Sequence, residues 1–224
     1  MSEAKLRVEP TSFPGVFRSG DMLLTQNLTP GRRVYGERLF DQEGKEYREW
    51  VPDRSKLAAY IRKRGSFFPF KADSHVLYLG ASSGTTPSHV SDLLTEGRVY
   101  CVEIAPRMFR DLVGVCEIRS NMMPILGDAT KPDDLAFLVE RADIIYQDVA
   151  QKNQAGIFAR AMRRFPARWG MLAVKARSED VTKDPEVIFR EAAELLTKEG
   201  LTVREVVGLE PFEKDHAMIV VERE

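Results

Sequence analysis

The sequence predicts an α/β protein with a doubly wound, mostly parallel sheet. From residue 75 onward, apolar runs typical of buried strands alternate with amphipathic helix patterns. A loop of small residues joins the first of these runs to the first helix. Two final apolar runs lie close enough in sequence to pair as an antiparallel hairpin. Together these observations predict seven strands, with a ligand site at the carboxyl ends of the parallel ones.

Length and composition limit the function classes. The chain has 224 residues, of which 43% are hydrophobic and 30% charged, as in soluble globular proteins. A net charge of −1 argues against a protein that holds nucleic acid alone through a global positive field. YIRKRG and RAMRRFPARW remain candidate basic patches or solvated helix faces. No apolar run approaches the roughly 18 residues of a membrane span, so no membrane partner is expected. The two cysteines have no metal-ligand spacing, which predicts reduced, buried thiols.

The N-terminal part, residues 1–52, predicts a small antiparallel β unit distinct from the domain at 53–224. Its short alternating runs are divided by turn signals, a Pro-Gly pair and DQEG. A helix pattern follows in VPDRSKLAAYIRKRG, with Asp53 or Ser55 as its cap and Gly65 at its end.

The larger part reads as strands and helices in turn. The predicted parallel strands are HVLYLG, RVYCVEI, MPILGDA, ADIIYQDVA and GMLAVKAR. Helix patterns lie between them in SHVSDLLTEG and NQAGIFARAMRRF. A later helix, DPEVIFREAAELLTKEG, has Asp184 as its cap, Pro185 in its first turn and Gly200 at its end. LTVREVVGL and HAMIVVERE form the closing hairpin.

The loop after the first strand is a candidate ligand site, because six of the seven residues from Gly80 to Thr86 are Gly, Ser or Thr. Small residues at Gly80, Ala81 and Gly84 would let a ligand approach backbone N–H groups at a helix N-terminus. Thr85 and Thr86 can add hydroxyl contacts. The alternative is a tight turn with a Ser or Thr cap. The G-x-x-x-G spacing and the missing Walker lysine argue against a dinucleotide or phosphate loop.

Two predicted strands end in acids. Glu103 closes VYCVE about twenty residues after the loop, where a carboxylate accepts hydrogen bonds from ribose hydroxyls. Asp128 ends the third strand in ILGDAT, and its carboxylate suits the exocyclic amine of an adenine. The alternative for Glu103 is an acid at a strand end that faces water, and the alternative for Asp128 is a helix cap.

Four polar residues are candidates for catalysis. Asp148 in IIYQDVAQ and Lys175 in MLAVKARS each end a buried strand. Each is a candidate for proton transfer, and the alternative is a half-buried partner in a salt bridge. Lys56 lies in the first turn of the helix after VPDRS, and His216 opens the last strand. A surface lysine and a structural histidine are the alternatives for these two. No Ser-His-Asp order or metal-ligand cluster stands out, so no metal is expected.

Several segments together resemble the fibrillarin family in its archaeal form. These are LGASSGTTPSHVSDL, VYCVEIAPR, ILGDATKP, YQDVAQKNQ, LAVKARSED and EPFEKDHAMIVV, with WVPDRSKLAA similar to the family's helix before the domain. The resemblance covers nearly the whole chain. It implies a Rossmann-like class I methyltransferase fold, S-adenosyl-L-methionine as cofactor, and methylation of ribose 2′-hydroxyls in ribosomal RNA and some archaeal tRNA.

The resemblance also implies the site residues. A catalytic tetrad maps to Lys56, Asp148, Lys175 and His216. The family usually has an aromatic residue after the strand-end glutamate, and here Ile104 is expected to replace adenine stacking by aliphatic packing. The implied cofactor contacts are Thr85, Thr86, Glu103, Ile104, Asp128, Ala129, Asp148, Val149, Ala150 and Gln151.

The family works inside a box C/D ribonucleoprotein, which implies the partners. A guide RNA selects the nucleotide in the target rRNA or tRNA. A Nop-type scaffold protein docks the methyltransferase, and a ribosomal-type, kink-turn-binding protein nucleates assembly. Eukaryotic members carry a glycine-arginine-rich tail that this chain lacks, which implies an archaeal, cytoplasmic protein.

Two other functions stay open at the level of sequence. A nucleotide-dependent oxidoreductase has a similar fold, but the loop spacing and the terminal hairpin argue against it. A non-catalytic RNA-binding module would keep the fold, but it would not need the acid and the lysine at the strand ends. Thermal shifts with S-adenosylhomocysteine and with NAD would separate the three.

Overall fold

Two sheets organise residues 7–224, the part of the chain that this computed structural model describes. A five-stranded antiparallel sheet comes first, and a seven-stranded mixed sheet flanked by helices follows. The first six residues of the predicted unit 1–52 lie outside the described residues.

The small sheet is built from hairpins, as its alternating pattern predicts. A two-residue turn at Glu43 and Gly44, with φ of 54° and 75°, joins its last two strands. The strand order is β1-β2-β3-β5-β4. The strands are β1 (Glu9–Pro10), β2 (Val16–Ser19), β3 (Met22–Gln26), β4 (Leu39–Gln42) and β5 (Lys45–Glu49).

A short turn and a helix connect the two sheets. The 3₁₀ turn Pro52–Arg54 contains the predicted boundary between residues 52 and 53, and α1 (Lys56–Arg62) follows it. Of the two candidate caps the structure uses Ser55, whose hydroxyl accepts a hydrogen bond from the Ala58 N–H. The helix stops before Gly65, because Arg64 has a left-handed φ of 60°.

The large sheet has the predicted fold class. Its order is β11-β12-β10-β9-β6-β7-β8, in which β6 to β10 run parallel and β12 lies antiparallel between β10 and β11. The prediction of a mostly parallel sheet with a terminal antiparallel hairpin is confirmed. The strands are β6 (His75–Leu79), β7 (Arg98–Glu103), β8 (Met122–Leu126), β9 (Ile144–Gln147), β10 (Trp169–Lys175), β11 (Thr202–Gly208) and β12 (His216–Glu222).

Helices cover both faces of this sheet. Asp184 caps the last one by accepting a hydrogen bond from the Glu186 N–H, as predicted. None of the helices within residues 7–224 is long and apolar enough to cross a membrane. They are α2 (Thr85–Leu93), α3 (Pro106–Cys116), α4 (Pro132–Leu135), α5 (Gln154–Arg164), α6 (Ala176–Glu179) and α7 (Pro185–Lys198).

A buried charge cluster joins the small sheet to the helix α2 that packs on the large one. Asp92 on α2 accepts from Arg48 of β5 at 3.4 Å and from Arg119, after α3, at 2.6 Å. Arg48 also pairs with Glu37 at 2.5 Å, and all four side chains are 0% exposed or nearly so. Burial, and then the charges of the two arginines, lower the pKa of nearby His89, which therefore stays neutral. The small sheet and the segment from α2 to the end of α3 thus share one polar core.

Removal of the shared acid should destabilise the fold. Asp92→Ala leaves Arg48 and Arg119 buried without a common anion, and we expect a loss of about 3–5 kcal/mol in the free energy of unfolding. Denaturant titration measures it. Glu191→Ala, which breaks an exposed pair with Lys183, is the control and should cost at most about 1 kcal/mol. Equal, small losses for both variants would contradict a structural role for the cluster.

Candidate active site

A cleft of about 320 Å³ lies at the carboxyl ends of the parallel strands. The direction of the crossovers reverses on either side of β6, and ligands of such sheets bind at this switch point. Most of the predicted cofactor residues line the cleft: Gly80, Glu103, Ile104, Asp128, Ala129, Asp148, Val149, Ala150 and Gln151. The sequence analysis missed Ser82, Val102, Met108 and Gly127, which line it too.

The small-residue loop brings strand ends together. The N–H groups of Gly80 and Ala81 both donate to the Val102 carbonyl, at 2.9 Å each. Gly80 has a φ of +84°, and a Cβ there would lie 2.7 Å from the carbonyl oxygen of Asp148. A glycine is therefore needed for the end of β6 to approach the end of β9. These two N–H groups already have a partner within the protein, and ligand contacts through them stay a prediction.

Four predicted loop residues do not line the cleft: Ala81, Gly84, Thr85 and Thr86. Thr86 is buried, and its hydroxyl donates to the Ser55 hydroxyl at 3.0 Å. Ser55 also accepts from the indole N–H of Trp50 at 2.9 Å. Thr86 therefore ties the start of α2 to the start of α1, and cofactor contacts for these four residues stay predictions.

Two acids are oriented into the cleft by backbone groups. The buried Glu103 carboxylate accepts from the Ser82 N–H at 2.7 Å and from the Ala105 N–H at 2.8 Å, one bond to each oxygen. Each carboxylate oxygen keeps a free lone pair, so the two oxygens together can accept hydrogen bonds from both hydroxyls of a ribose. Asp128 accepts from the Thr130 N–H at 2.8 Å, and this bond lowers its pKa, which keeps the carboxylate ionised.

An apolar surface borders these acids. Ile104 is 61% exposed and lines the cleft, and Met108, in the first turn of α3, lines it as well. A large apolar side chain left this open has room to pack against a flat ring. The sequence signal for Met108 is a large apolar residue in the first turn of the helix that follows the strand-end glutamate.

A row of charges closes the other end of the cleft. Lys175 Nζ lies 2.8 Å from Asp148 Oδ1, and Lys56 Nζ lies 3.3 Å from Asp148 Oδ2. Lys56 is also 3.7 Å from Glu213, whose other oxygen is 3.9 Å from His216 Nδ1. These side chains are only 13% to 22% exposed. The structure thus brings together the four predicted catalytic residues and a fifth, Glu213, that was not predicted.

Each member of the row is placed by a different element. Lys56 opens α1, Asp148 follows β9, and Lys175 ends β10. His216 opens β12 directly opposite Lys175 in the antiparallel register. Glu213 lies in the connection EPFEKD, and its sequence signal was an acid three residues before a candidate histidine.

The protonation of His216 follows from its contacts. Its Nδ1 lies 2.5 Å from the Lys214 carbonyl oxygen, which can only accept, so the proton is on Nδ1. Burial and then the charge of Lys56 lower the pKa of His216. The ring is therefore neutral near pH 7 and keeps a free lone pair on Nε2.

The arrangement is suited to a nucleoside-containing ligand and to charge that develops beside it. Glu103 and Asp128 offer acceptors, and Lys56 and Lys175 offer cationic donors. Within the described part of the chain, no group of three or more His, Cys, Asp or Glu is arranged to hold a metal ion.

Comparison with known proteins identifies relatives over nearly the whole chain. A sequence model of a protein family, described as Fibrillarin, matches residues 8–224. A protein named fibrillarin-like rRNA/tRNA 2′-O-methyltransferase, from Methanopyrus kandleri, is 55% identical over 201 residues, which cover 88% of this chain and 87% of the relative.

Solved structures show the same relationship. Aeropyrum pernix fibrillarin in complex with natively bound S-adenosyl-L-methionine has a TM-score of 0.88 and 45% identity, covering 96% of this chain and 98% of that one. A fibrillarin/Nop5p complex contains a chain with a TM-score of 0.88 and 38% identity, covering 96% of this chain and 100% of that one.

Substitution of Gly80 tests its role in bringing the strand ends together. Gly80→Ala should lower the free energy of unfolding by about 1–2 kcal/mol for its left-handed backbone and by about 1–3 kcal/mol more for the contact with Asp148. Gly31→Ala is the matched control, because Gly31 has a similar φ of +79° with nothing within 4 Å. Equal losses in denaturant titrations of the two variants would show that the close approach is unimportant.

Proposed function

The chain belongs to the fibrillarin family, and we propose that it transfers a methyl group from S-adenosyl-L-methionine to the 2′-hydroxyl of ribose in ribosomal or transfer RNA. The observation that carries this proposal is Asp148 held between two lysines at the end of a cleft lined by Glu103. The 55% identical relative named as a 2′-O-methyltransferase supports the proposal over an oxidoreductase and over an inert RNA-binding module.

The cleft fits the cofactor that the Aeropyrum pernix relative binds. Glu103 would hold the ribose hydroxyls, Asp128 the adenine amine, and Ile104 would pack on the adenine ring. Asp148 and its neighbours up to Gln151 line the end nearest the lysines. When bound, the cofactor supplies a methyl group on a cationic sulfur, and the protein must align it with the incoming oxygen.

The charged row supplies the remaining chemistry. Lys175 donates a hydrogen bond to the Asp148 carbonyl oxygen at 3.1 Å, and its Nζ forms an ion pair with Asp148 Oδ1 at 2.8 Å. An ammonium there stabilises negative charge on the attacking 2′-oxygen. His216 is neutral, with a free lone pair on Nε2, so it is the member of the row that can accept a proton.

The proposal includes the partners. A relative of this chain forms a complex with Nop5p, so a Nop-type scaffold protein would dock this subunit. A box C/D guide RNA would choose the nucleotide, and a kink-turn-binding protein would nucleate assembly. A net charge of −1 fits a subunit whose RNA target is held by others. Because the relative comes from an archaeon, a cell without a nucleus, the proposed location is the cytoplasm.

Methyl transfer to a guided RNA tests the function. We expect little transfer by the protein alone, since it has no general attraction for phosphate, and efficient transfer once guide RNA and both proteins are added. Omission of one component at a time identifies which are needed. Strong, unguided methylation by the isolated chain would contradict the ribonucleoprotein assignment.

Cofactor affinity tests Glu103. Glu103→Ala removes the acceptor for two ribose hydroxyls, and one charge-assisted hydrogen bond is worth about 1.5–3 kcal/mol. We expect S-adenosyl-L-methionine to bind at least about tenfold more weakly in calorimetry, and Glu103→Gln to lose less. Unchanged affinity in the alanine variant would exclude Glu103 from the cofactor site.

Single-turnover rates test Lys175. Lys175→Ala should leave cofactor affinity within a few-fold but slow methyl transfer by about 10²–10³, the usual effect of removing one donor to a developing oxyanion. Both quantities must come from the same assembled particle, since a docking defect would imitate a catalytic one. Lys198→Ala, at an exposed helix end, is the control. Normal transfer by the Lys175 variant would make its ion pair purely structural.

A further inference from the structure

Glu213 touches two members of the charged row from a loop outside the predicted site. Its Oε1 lies 3.7 Å from Lys56 Nζ and its Oε2 lies 3.9 Å from His216 Nδ1. The side chain is 19% exposed, so the carboxylate is mostly withdrawn from water. A carboxylate is rarely buried to this degree unless it is paired, and here its neighbours are both candidate catalytic groups.

The charge balance of the row explains why a second acid is needed. Two ammonium groups approach the single carboxylate of Asp148, and Lys175 has the shorter contact, 2.8 Å against 3.3 Å for Lys56. Without another anion, the mostly buried Lys56 ammonium would have only a carboxylate that it shares with Lys175. An incompletely paired buried charge destabilises the folded state. Glu213 gives Lys56 its second carboxylate.

The loop that carries Glu213 is held at both ends. Leu209 is fully buried, donates to the His216 carbonyl at 2.9 Å and accepts from the Glu213 N–H at 3.2 Å. Asp215 accepts from Arg177 at 2.9 Å, and its carbonyl accepts from the N–H that follows Lys175 at 3.0 Å. The Glu213 carboxylate therefore approaches Lys56 from a fixed backbone.

We propose that Glu213 is a positioning residue for methyl transfer: it holds the Lys56 ammonium between two carboxylates and sets the electrostatic environment of His216. The inference rests on the proposed function and deepens it. Glu213 itself need not touch the RNA or the cofactor. It acts through Lys56, which pairs with Asp148, and through His216, which lies opposite Lys175 in the sheet.

The effect on His216 has a definite sign. Burial and Lys56 lower the pKa of His216, while Glu213 and Asp148 raise it. Loss of the Glu213 charge should therefore lower that pKa further. Because His216 can accept a proton only when neutral, the acid limb of the rate profile should move to lower pH in Glu213→Gln. The other charged groups around His216 are Lys175 opposite it in the sheet and, around an adjoining cleft, Lys63, Asp184, Glu186, Glu210 and Asp215.

Titration of the imidazole signals by NMR tests this without any RNA. The chain has three histidines, so a His216→Gln spectrum assigns the signal. We expect the His216 pKa to be lower in Glu213→Gln than in the wild type and to recover in Glu213→Asp, which keeps the charge. Glu210→Gln is the matched control, because Glu210 is an exposed acid three residues earlier in the same loop. In Glu210→Gln the His216 pKa should stay much closer to the wild-type value.

Single-turnover transfer in the assembled particle tests the positioning role. Glu213→Gln should be slower by about 10–100-fold at its optimum pH, the range expected for a misplaced catalytic group, with its acid limb shifted to lower pH. Cofactor affinity should stay close to the wild type, whereas thermal unfolding should occur at a lower temperature, because Lys56 loses one of its two carboxylates. Glu213→Asp should recover part of the rate.

The outcomes separate this proposal from the proposed function. An unchanged His216 titration in Glu213→Gln, or wild-type transfer with an unshifted pH profile, overturns the role of Glu213. If the wild-type particle transfers no methyl group, the proposed function fails instead. The titration alone then decides whether Glu213 controls the charge state of His216.

Discussion

The Asp148 carboxylate forms ion pairs with two ammonium groups from different parts of the chain, and the geometry of the site depends on these two contacts. Lys175 reaches it from the neighbouring strand end, and Lys56 reaches it from the first turn of α1. Gly80 makes the geometry possible, because only a residue without a Cβ lets the end of β6 lie against the Asp148 carbonyl. The chemistry of the row is thus a consequence of how closely strand ends pack.

The small N-terminal sheet takes part in this arrangement at a distance. Trp50, just after its last strand, and Thr86 of α2 both donate to Ser55, the cap of the helix that Lys56 opens. The buried cluster around Asp92 fixes α2 against the same sheet. The position of Lys56 therefore depends on contacts made by both sheets, which gives the small sheet a structural part in the active site.

Much of the fold could be predicted because buried parallel strands are continuous apolar runs, and the polar residues that end them must meet at one edge of the sheet. That reasoning predicted Glu103, Asp148 and Lys175 correctly as residues of one cleft edge. Position in the sequence made Lys56 and His216 candidates beside a surface lysine and a structural histidine as alternatives, and the family resemblance grouped them with Asp148 and Lys175.

Other features depend on distances that a sequence does not contain. Glu213 looked like a loop acid, and its role became visible only when the loop was placed beside Lys56. The Thr86 hydroxyl, which is predicted to contact the cofactor, also donates to a helix cap thirty-one residues earlier in the chain, and this contact has no sequence signal. Small residues in a turn are compatible both with ligand contact and with close backbone packing, so the close packing of Gly80 against Asp148 could not be predicted.

The most direct test of the central claim is a double-mutant cycle of Asp148→Asn and Lys56→Ala, measured as single-turnover methyl transfer in the assembled particle. If Asp148 acts by holding the lysine, the two losses will be strongly non-additive, with the double variant little slower than Asp148→Asn alone. Losses that simply add would contradict the account.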